Sequence, residues 1–177
     1  MRKSDELLKY LESNGIDAET FEHPPVHTVE ESRALRGDIS GIHTKNLFLR
    51  DSKKNYFLFV TDESANVQLK ALGRKIGAKG NLSFASPDAL SELLGIEPGS
   101  VSLLATINDI GRKVAVVIDK HLLSASTINC HPLTNMRTTS LSKEGVAAFL
   151  TSIGHTPLYI SLDEDPLGRD PSGAKNS

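Results

Sequence analysis

Apolar residues recur at two different spacings along the chain, and the spacing changes from segment to segment. Leu7 and Leu8 lie four and three residues before Leu11, which predicts a helix over Ser4–Ser13 with Ser4 as its cap. Short apolar runs bounded by polar turns predict strands instead. The predicted strands cover 16–22, 46–50, 56–61, 82–85, 101–107, 114–118, 126–129, 136–140 and 158–160, and the other predicted helices cover 66–72, 87–94 and 143–153, with one more starting at Thr28.

Cap and turn residues define the ends of several of these elements. Ser86 and Ser142 each precede a predicted helix, and serine is a preferred cap of the first helical turn. Residues 51–55 and 108–112 are polar and predict turns, the second of which would join its flanking strands into a hairpin. Since strands and helices alternate irregularly, the sequence predicts an α/β fold with a mixed, curved sheet surrounded by short helices.

Length and composition predict a single domain. With 177 residues, of which 38% are apolar, the chain can bury a core without disulfides. We expect the domain to cover residues 1–162 and the polar residues 163–177 to form a disordered tail. Cys130 is the only cysteine, and the sequence has neither an apolar leader nor a run long enough to span a membrane. A cytoplasmic protein without membrane contact is therefore expected.

The positive charge is concentrated in one region. Residues 45–79 carry eight basic and three acidic side chains, a net charge of +5, whereas the whole chain has −2. One face could therefore meet a phosphate backbone or an anionic ligand, although the overall balance argues against bulk nucleic-acid binding, including DNA. On charge alone, a solvated surface is the simpler interpretation. The absence of Trp argues against an aromatic platform for single strands.

Standard signatures of catalysis and metal binding are absent from the sequence. It has no Gly-rich phosphate loop, nucleophile elbow or Cys-x-x-Cys pair. Two prolines separate His23 from His27, which favours a turn over a metal site, and neither a metal nor a cofactor is predicted. His131 follows Cys130 directly, and because neighbours in a strand point to opposite faces, a buried and inert cysteine is expected. Lys45 stands at the entrance of an apolar strand, where it could solubilise the strand or reach into a cleft.

Six motifs along the chain resemble one known family, the prolyl-tRNA editing or YbaK/ProX-like proteins. The motifs occur in the family's order and cover roughly residues 1–162. They are His27-Thr28-Val29-Glu30-Glu31, Lys45-Asn46-Leu47-Phe48-Leu49-Arg50-Asp51, Gly77-Ala78-Lys79 with Leu82-Ser83-Phe84-Ala85-Ser86, Leu94-Gly95-Ile96-Glu97-Pro98-Gly99-Ser100-Val101, Val117-Ile118-Asp119, and His131-Pro132-Leu133-Thr134-Asn135.

The resemblance implies the fold of that family and the hydrolysis of an aminoacyl ester on tRNA. The motifs at Lys45 and His131 resemble the freestanding branch that removes Ala from proline tRNA. The branch that removes Cys has a Gly-x-x-x-Pro loop where this chain has His131-Pro132. The resemblance thus implies an enzyme acting in trans on the acceptor end of proline tRNA, with prolyl-tRNA synthetase as a further candidate partner.

The resemblance also assigns roles to individual residues. In catalysis, Lys45 would hold the terminal phosphate or ribose, Asn46 would contact the ester, and His131 would shape the pocket or bind the amino-acid end. The ribose 2′-hydroxyl of the substrate would help to activate water. A small apolar cavity that selects Ala is expected at the foot of Lys45, with Leu47 and Val101 as candidate lining residues. Substrate and tRNA binding would fall to Arg50, Lys79, Gly99, Ser100 and Pro132.

Two other functions stay open at this point. A non-catalytic module that binds tRNA ends or an aminoacyl nucleotide would use the same basic region, and the missing nucleophile agrees with it. A deacylase of the same fold could instead act on Ser, Thr or Cys esters, because the sequence defines neither the volume nor the polarity of the pocket.

Overall fold

A mixed, curved sheet with short helices packed against it organises the fold, as the sequence predicts. The computed structural model describes residues 1–25, 34 and 39–163. The start of the helix predicted from Thr28, and the tail predicted over 163–177 apart from Asp163, lie outside these residues. The strands are β1 (Ala18–Glu22), β2 (Ile42–Arg50), β3 (Tyr56–Asp62), β4 (Ser83–Phe84), β5 (Val114–Asp119), β6 (Ile128–Cys130), β7 (Arg137–Leu141) and β8 (Leu158–Ile160). The α-helices are α1 (Ser4–Ser13), α2 (Leu69–Ile76), α3 (Pro87–Leu94) and α4 (Lys143–Ser152), and two 3₁₀-helices span Leu103–Asn108 and Lys120–Ser124.

The strand order of the sheet places β2 and β3 at its centre. The described strands follow the order β1-β7-β6-β2-β3-β5-β8, and β4 pairs with β2. The pairs β1–β7, β6–β7, β2–β3 and β2–β4 are antiparallel. The pairs β2–β6, β3–β5 and β5–β8 are parallel, so the sheet is mixed as predicted.

The strand predicted over 101–107 is wrong, because this segment forms the 3₁₀-helix Leu103–Asn108. The Oγ of Ser102 accepts a hydrogen bond from the N–H of Leu104, and every residue of the 3₁₀-helix is buried. A continuous apolar run fits a buried strand and a buried helix equally, and here the serine cap favours the helix. The predicted hairpin across 108–112 is consequently wrong too, since β5 pairs in parallel with β3 and β8.

Helix caps agree with the sequence at two of the helix starts. Ser86 and Ser142 each accept a main-chain N–H three residues further on, which confirms both predicted caps. α1 has the predicted extent, but Ser4 is its first residue, and Lys3 holds the cap position without a side-chain hydrogen bond. α2 starts and ends later than predicted, and Gly77 ends it with a φ of 72°. No helix in the described part of the chain is both long and apolar enough to cross a bilayer.

The two faces of the sheet bury separate clusters of side chains. Phe48 and Leu58 belong to the larger cluster, which also contains residues of α1, α3 and α4. Leu49 and Phe59 belong to the smaller cluster together with Leu72 of α2. We call these two sides of the sheet the α4 face and the α2 face. Since side chains alternate along a strand, each residue of β2 can be assigned to one of them.

Candidate functional site

Lys45 lies in the middle of β2, so the predicted position at a strand entrance is wrong. β2 begins at Ile42, four residues before the predicted start, because its first half is mostly polar and escapes the apolar pattern. Lys45 lies directly opposite Thr61 of β3. Its Nζ donates a hydrogen bond to the carbonyl oxygen of Ala65 at 2.5 Å, and the residue is partly buried. Strand pairing on the β3 side therefore holds the backbone that carries this ammonium group.

Asn46 presents its side chain on the opposite face of the strand from Lys45. The register of β2 against β3 is unbroken from Thr44 to Arg50, so side chains alternate strictly and Asn46 falls on the α4 face. Its Nδ2 lies 3.4 Å from the Oγ1 of Thr44. Its Oδ1 is buried and has no hydrogen-bond partner among the described residues. Buried polar atoms are usually bonded, so this oxygen is a candidate ligand contact.

The sheet edge beside Asn46 is open within the described residues. On the side of β2 away from β3, β6 pairs with the start of the strand and β4 pairs with its end. The described residues place no strand against 45–47 between them, whereas the Oγ1 of Thr44 still donates to the carbonyl oxygen of Asn129 on β6 at 2.8 Å. The N–H of Ile42 and the carbonyl of Phe48 both bond across this side, so alternate residues turn main-chain groups toward it, Asn46 among them. We call this feature the edge opening (residues 45–47).

His131 is the first residue after β6. The parallel pairing of β6 with β2 ends at Asn129 opposite His43, two residues before His131 and two before Lys45 on their strands. The Nδ1 of His131 is 3.2 Å from the carbonyl oxygen of Arg137. Pro132, the next residue, is buried in the loop. Lys45 and Asn46 are thus neighbours on β2, His131 follows the strand that pairs with the start of β2, and the roles of all three stay predictions.

The predicted contacts Gly99 and Ser100 lie apart from this arrangement. They form a turn after α3, in which the N–H of Ser100 bonds the carbonyl of Glu97 and Gly99 has a φ of 91°. Gly99 is exposed, and α3 packs on the α4 face rather than on the side of Lys45. Nothing among the described contacts joins these residues to the opening, and their binding role also stays a prediction.

Asp51 organises the basic loops around Arg50 and Lys79, a role that sequence reasoning missed. The side chain of Asp51 is buried, and its carboxylate accepts the main-chain N–H groups of Lys53, Asn55 and Lys79 and the side-chain amide of Asn55, each at 2.9 Å. Burial raises the pKa of Asp51, but these hydrogen bonds favour the charged form more strongly and lower that pKa to about 2. Arg50 and Lys79 are both exposed beside this carboxylate.

A sequence signal for this role does exist at Asp51. Aspartate at the start of a polar turn commonly accepts main-chain N–H groups two or more residues further on. The segment from Asp51 to Asn55 has that pattern, whereas the additional bond to the distant Lys79 could only be found in the folded protein. The bond joins the turn after β2 to the turn before β4 and positions the two predicted tRNA contacts together.

A second missed feature is a buried hydrogen bond on the face that carries Lys45. The Oγ1 of Thr61 donates to the Oδ2 of Asp119 at 2.7 Å, and both side chains are buried. The N–H of His121 donates to the other carboxylate oxygen at 3.0 Å. Thr61 is the cross-strand neighbour of Lys45, so this bond fixes the strand beside the lysine. In the sequence, the only indication of this bond was that Asp119 ends the motif Val117-Ile118-Asp119.

Cys130 is buried, which confirms the expected inert thiol. Burial raises the pKa of Cys130 to about 12, because the apolar surroundings disfavour the thiolate. The Oγ1 of Thr44 lies 3.9 Å from the sulfur. A thiol that stays protonated at neutral pH does not act as a nucleophile.

The expected alanine pocket stays a prediction, but its proposed lining needs correction. Leu47 packs against the cluster of the α2 face and Val101 against that of the α4 face, so the sheet separates them. A cavity of about 10 Å³ lies on the α4 face against Val60 and Ile128. That volume is at the lower limit for a single water, roughly 10–15 Å³, and is too small for an aminoacyl group.

Comparison with solved structures gives the same fold. A crystal structure of a proposed trans-editing enzyme for prolyl tRNA synthetase aligns with a TM-score of 0.69 and 20% sequence identity, covering 93% of this chain and 99% of the other. At this level of identity the likeness concerns the fold alone.

Sequence comparisons then identify the family. The chain is 37% identical to prolyl-tRNA synthetase associated domain-containing protein 1 of Danio rerio, over 89% of this chain and 86% of the relative. It is also 37% identical to prolyl-tRNA editing protein ProX of Acetoanaerobium sticklandii, over 88% and 95% of the two chains. The family profile of the aminoacyl-tRNA editing domain matches residues 23–149, which include the edge opening, Lys45 and His131. The chain therefore belongs to the aminoacyl-tRNA editing domain family, with prolyl-tRNA editing proteins among its relatives.

Proposed function

We propose that this protein hydrolyses the ester that joins alanine to the 3′ end of proline tRNA, acting in trans on tRNA that was charged in error. The observation that carries the proposal is Lys45, a partly buried ammonium group on a paired strand within the segment matched by the editing family. Lys45 stands beside a stretch of β2 main chain against which the described residues place no strand. One relative, named prolyl-tRNA editing protein ProX, supports the substrate class.

The reaction asks little of the protein beyond positioning. Water attacks the carbonyl carbon, the bond to the ribose oxygen breaks, and that oxygen takes a proton, which yields free alanine and intact tRNA. Because the ester is already activated, an ordered water and stabilisation of the developing oxyanion provide most of the catalysis. The ribose 2′-hydroxyl next to the ester assists by accepting a proton from the attacking water or by orienting it.

Each residue around the edge opening has a distinct part in this scheme. The ammonium of Lys45 holds the terminal phosphate or ribose through a charge-assisted hydrogen bond. Asn46 offers an Oδ1 that has no hydrogen-bond partner within the described residues and a main-chain amide that faces the opening, and both suit polar contact near the ester. His131 borders the pocket from the loop after β6. The buried thiol of Cys130 takes no part.

Alanine selectivity follows from size exclusion. A synthetase pocket shaped for proline cannot strongly reject alanine, since missing methylene groups are worth only about 1–3 kcal/mol. A second pocket that admits alanine and is too small for proline removes the error. The proposal therefore requires a small apolar subsite near Lys45, and sparing of Pro-tRNA is its direct consequence.

The test is a deacylation panel with proline tRNA charged in turn with Ala, Cys, Ser and Pro, at a protein concentration well below that of the tRNA. We expect multiple turnovers on the Ala ester and no acceleration on the Pro ester. Equal rates on both esters would overturn the size-exclusion argument. Preference for Cys or Ser would assign a different editing substrate, and stoichiometric binding without turnover would leave a non-catalytic tRNA-end module.

A matched pair of lysine variants completes the design. Lys70 is exposed on α2 and belongs to the same basic region, so Lys70→Ala removes one charge without touching the edge opening. Lys45→Ala removes the same charge at the opening. If both variants lose activity equally, net charge rather than the site explains the activity.

A further inference from the structure

Phe84 is an aromatic residue whose exposure the core does not explain. It is 62% exposed, although most large apolar side chains of the described residues are buried. It lies on β4, which pairs Phe84 with Leu49 and Ser83 with Arg50 of β2. The N–H of Ala85 bonds the carbonyl of Phe48, so the backbone on both sides of Phe84 is held in place. The ring is therefore displayed from a fixed strand.

The surroundings of Phe84 are basic. Arg50 is exposed on the neighbouring strand, and Lys79 is exposed in the turn that leads to β4. The carboxylate of Asp51 bonds the main-chain N–H of Lys79, and the N–H of Ser52 bonds the carbonyl of Lys79. The nearest acidic group on these loops is thus buried and engaged. What remains at the surface is a fixed ring on the α2 face and the exposed Lys79, whereas Arg50 is the register partner of Ser83 and points to the opposite face of the sheet.

The distance from Lys45 sets which part of a ligand this ring could reach. Phe84 is the register partner of Leu49, four residues along β2 from Lys45. At about 3.3 Å per residue, the two positions are about 13 Å apart along the strand. That separation corresponds to a few nucleotides of single strand, at about 3.4 Å per stacked base. Both positions fall on the same face of β2, since an even number of residues separates them.

We propose that Phe84 stacks on an unpaired base upstream of the terminal adenosine of the tRNA, while Lys79 contacts an adjacent phosphate. The occupant is the single-stranded 3′ end of the substrate, so the inference rests on the proposed function and names its docking surface. Base stacking on an aromatic ring tolerates any base, and a neighbouring cation follows the backbone. Stacking on one base needs only one aromatic ring, so the proposal is compatible with the low aromatic content of the chain.

Binding of uncharged proline tRNA to the full-length protein tests the proposal without requiring turnover. We expect Phe84→Ala to weaken binding about 5- to 30-fold, the range for one base–aromatic stack at an exposed site. Phe84→Tyr should bind like the wild type, because the aromatic face is retained. Phe84→Leu should be weakened nearly as much as Phe84→Ala, although its apolar bulk is largely preserved. Ile110→Ala is the matched control, since Ile110 is 88% exposed in a turn beyond the 3₁₀-helix.

Truncated tRNA separates stacking on the 3′ end from other contacts. With tRNA that lacks its entire single-stranded 3′ end, wild type and Phe84→Ala should bind equally. Wild-type affinity of Phe84→Ala for intact tRNA, or equal affinity of Phe84→Leu and wild type, would overturn the proposal. A persistent defect on truncated tRNA would overturn it as well.

The outcomes also distinguish this inference from the proposed function. If the wild type binds tRNA through Phe84 but does not deacylate it, the docking surface stands and the enzymatic proposal fails. If the wild type deacylates Ala-tRNA and Phe84→Ala is unimpaired in binding and turnover, the docking surface fails and the function stands. Thermal unfolding of each variant shows whether a defect reflects loss of the fold.

Discussion

Substitution of Lys45 by alanine tests the site most directly. In the proposed complex its ammonium makes one charge-assisted contact with the terminal phosphate or ribose. Loss of such a contact costs about 1.5–3 kcal/mol. If the contact forms mainly in the transition state, deacylation should slow by about ten- to a hundred-fold. The fold should survive, because the only side-chain hydrogen bond of Lys45 among the described contacts goes to the carbonyl of Ala65 in a partly exposed turn.

Single-turnover deacylation of Ala-tRNA measures the chemical step, and thermal unfolding of the same sample measures the fold. Lys45→Met keeps most of the aliphatic stem, so it separates the loss of charge from the loss of packing. Wild-type deacylation by a correctly folded Lys45→Ala protein would refute the reasoning. The lysine would then be a solubilising residue on its strand, as one of the sequence interpretations holds.

Three further predictions concern other residues of the site. His131→Ala should lower kcat/KM less than Lys45→Ala does if His131 only shapes the pocket, and an equal loss measured in the same assay would indicate contact with the ester. Cys130→Ala should retain deacylation, and the folded wild type should resist alkylation at pH 8, because the thiol is buried with a pKa near 12. Asp51→Asn should lower the free energy of unfolding at neutral pH. The folded pKa of Asp51 is about 2 against an ordinary 3.8, so its stabilisation is present above 3.8 and lost as pH falls through 2. Chemical denaturation at pH 7 and near pH 2 should therefore show the difference between wild type and variant shrinking.

Local chemistry explains why some elements could be predicted from the sequence. Ser86 and Ser142 cap their helices because each directly precedes the first helical residue, where its side-chain oxygen can accept an N–H of the first turn. The strand predicted over 101–107 was wrong because an unbroken apolar run has no periodicity, so burial alone could not distinguish a strand from a 3₁₀-helix. β5 pairs in parallel with β3 and β8, which are distant from it in sequence, so no local pattern could predict this pairing.

The candidate residues came from the family motifs, whereas their arrangement could not be predicted from the sequence. The motifs pointed to Lys45, Asn46 and His131, whose roles stay predictions, and the structure places the first two as neighbours on β2. The apolar pattern missed the polar first half of β2, so Lys45 was predicted at a strand end instead of mid-strand. The bond from Asp51 to Lys79 joins residues 28 positions apart, a pairing that only tertiary structure can reveal.

The two faces of β2 constrain how a substrate could approach. Lys45 points to the α2 face and Asn46 to the α4 face, so a ligand lying flat on either face would contact only one of them. A ligand entering the edge opening could contact both side chains and the main chain of Asn46. β4 occupies the same edge further along, and there it displays Phe84. A 3′ end that follows this edge would meet the basic loops first, then the aromatic ring, and finally the lysine. The proposed docking surface and the proposed catalytic site would then lie along a single path.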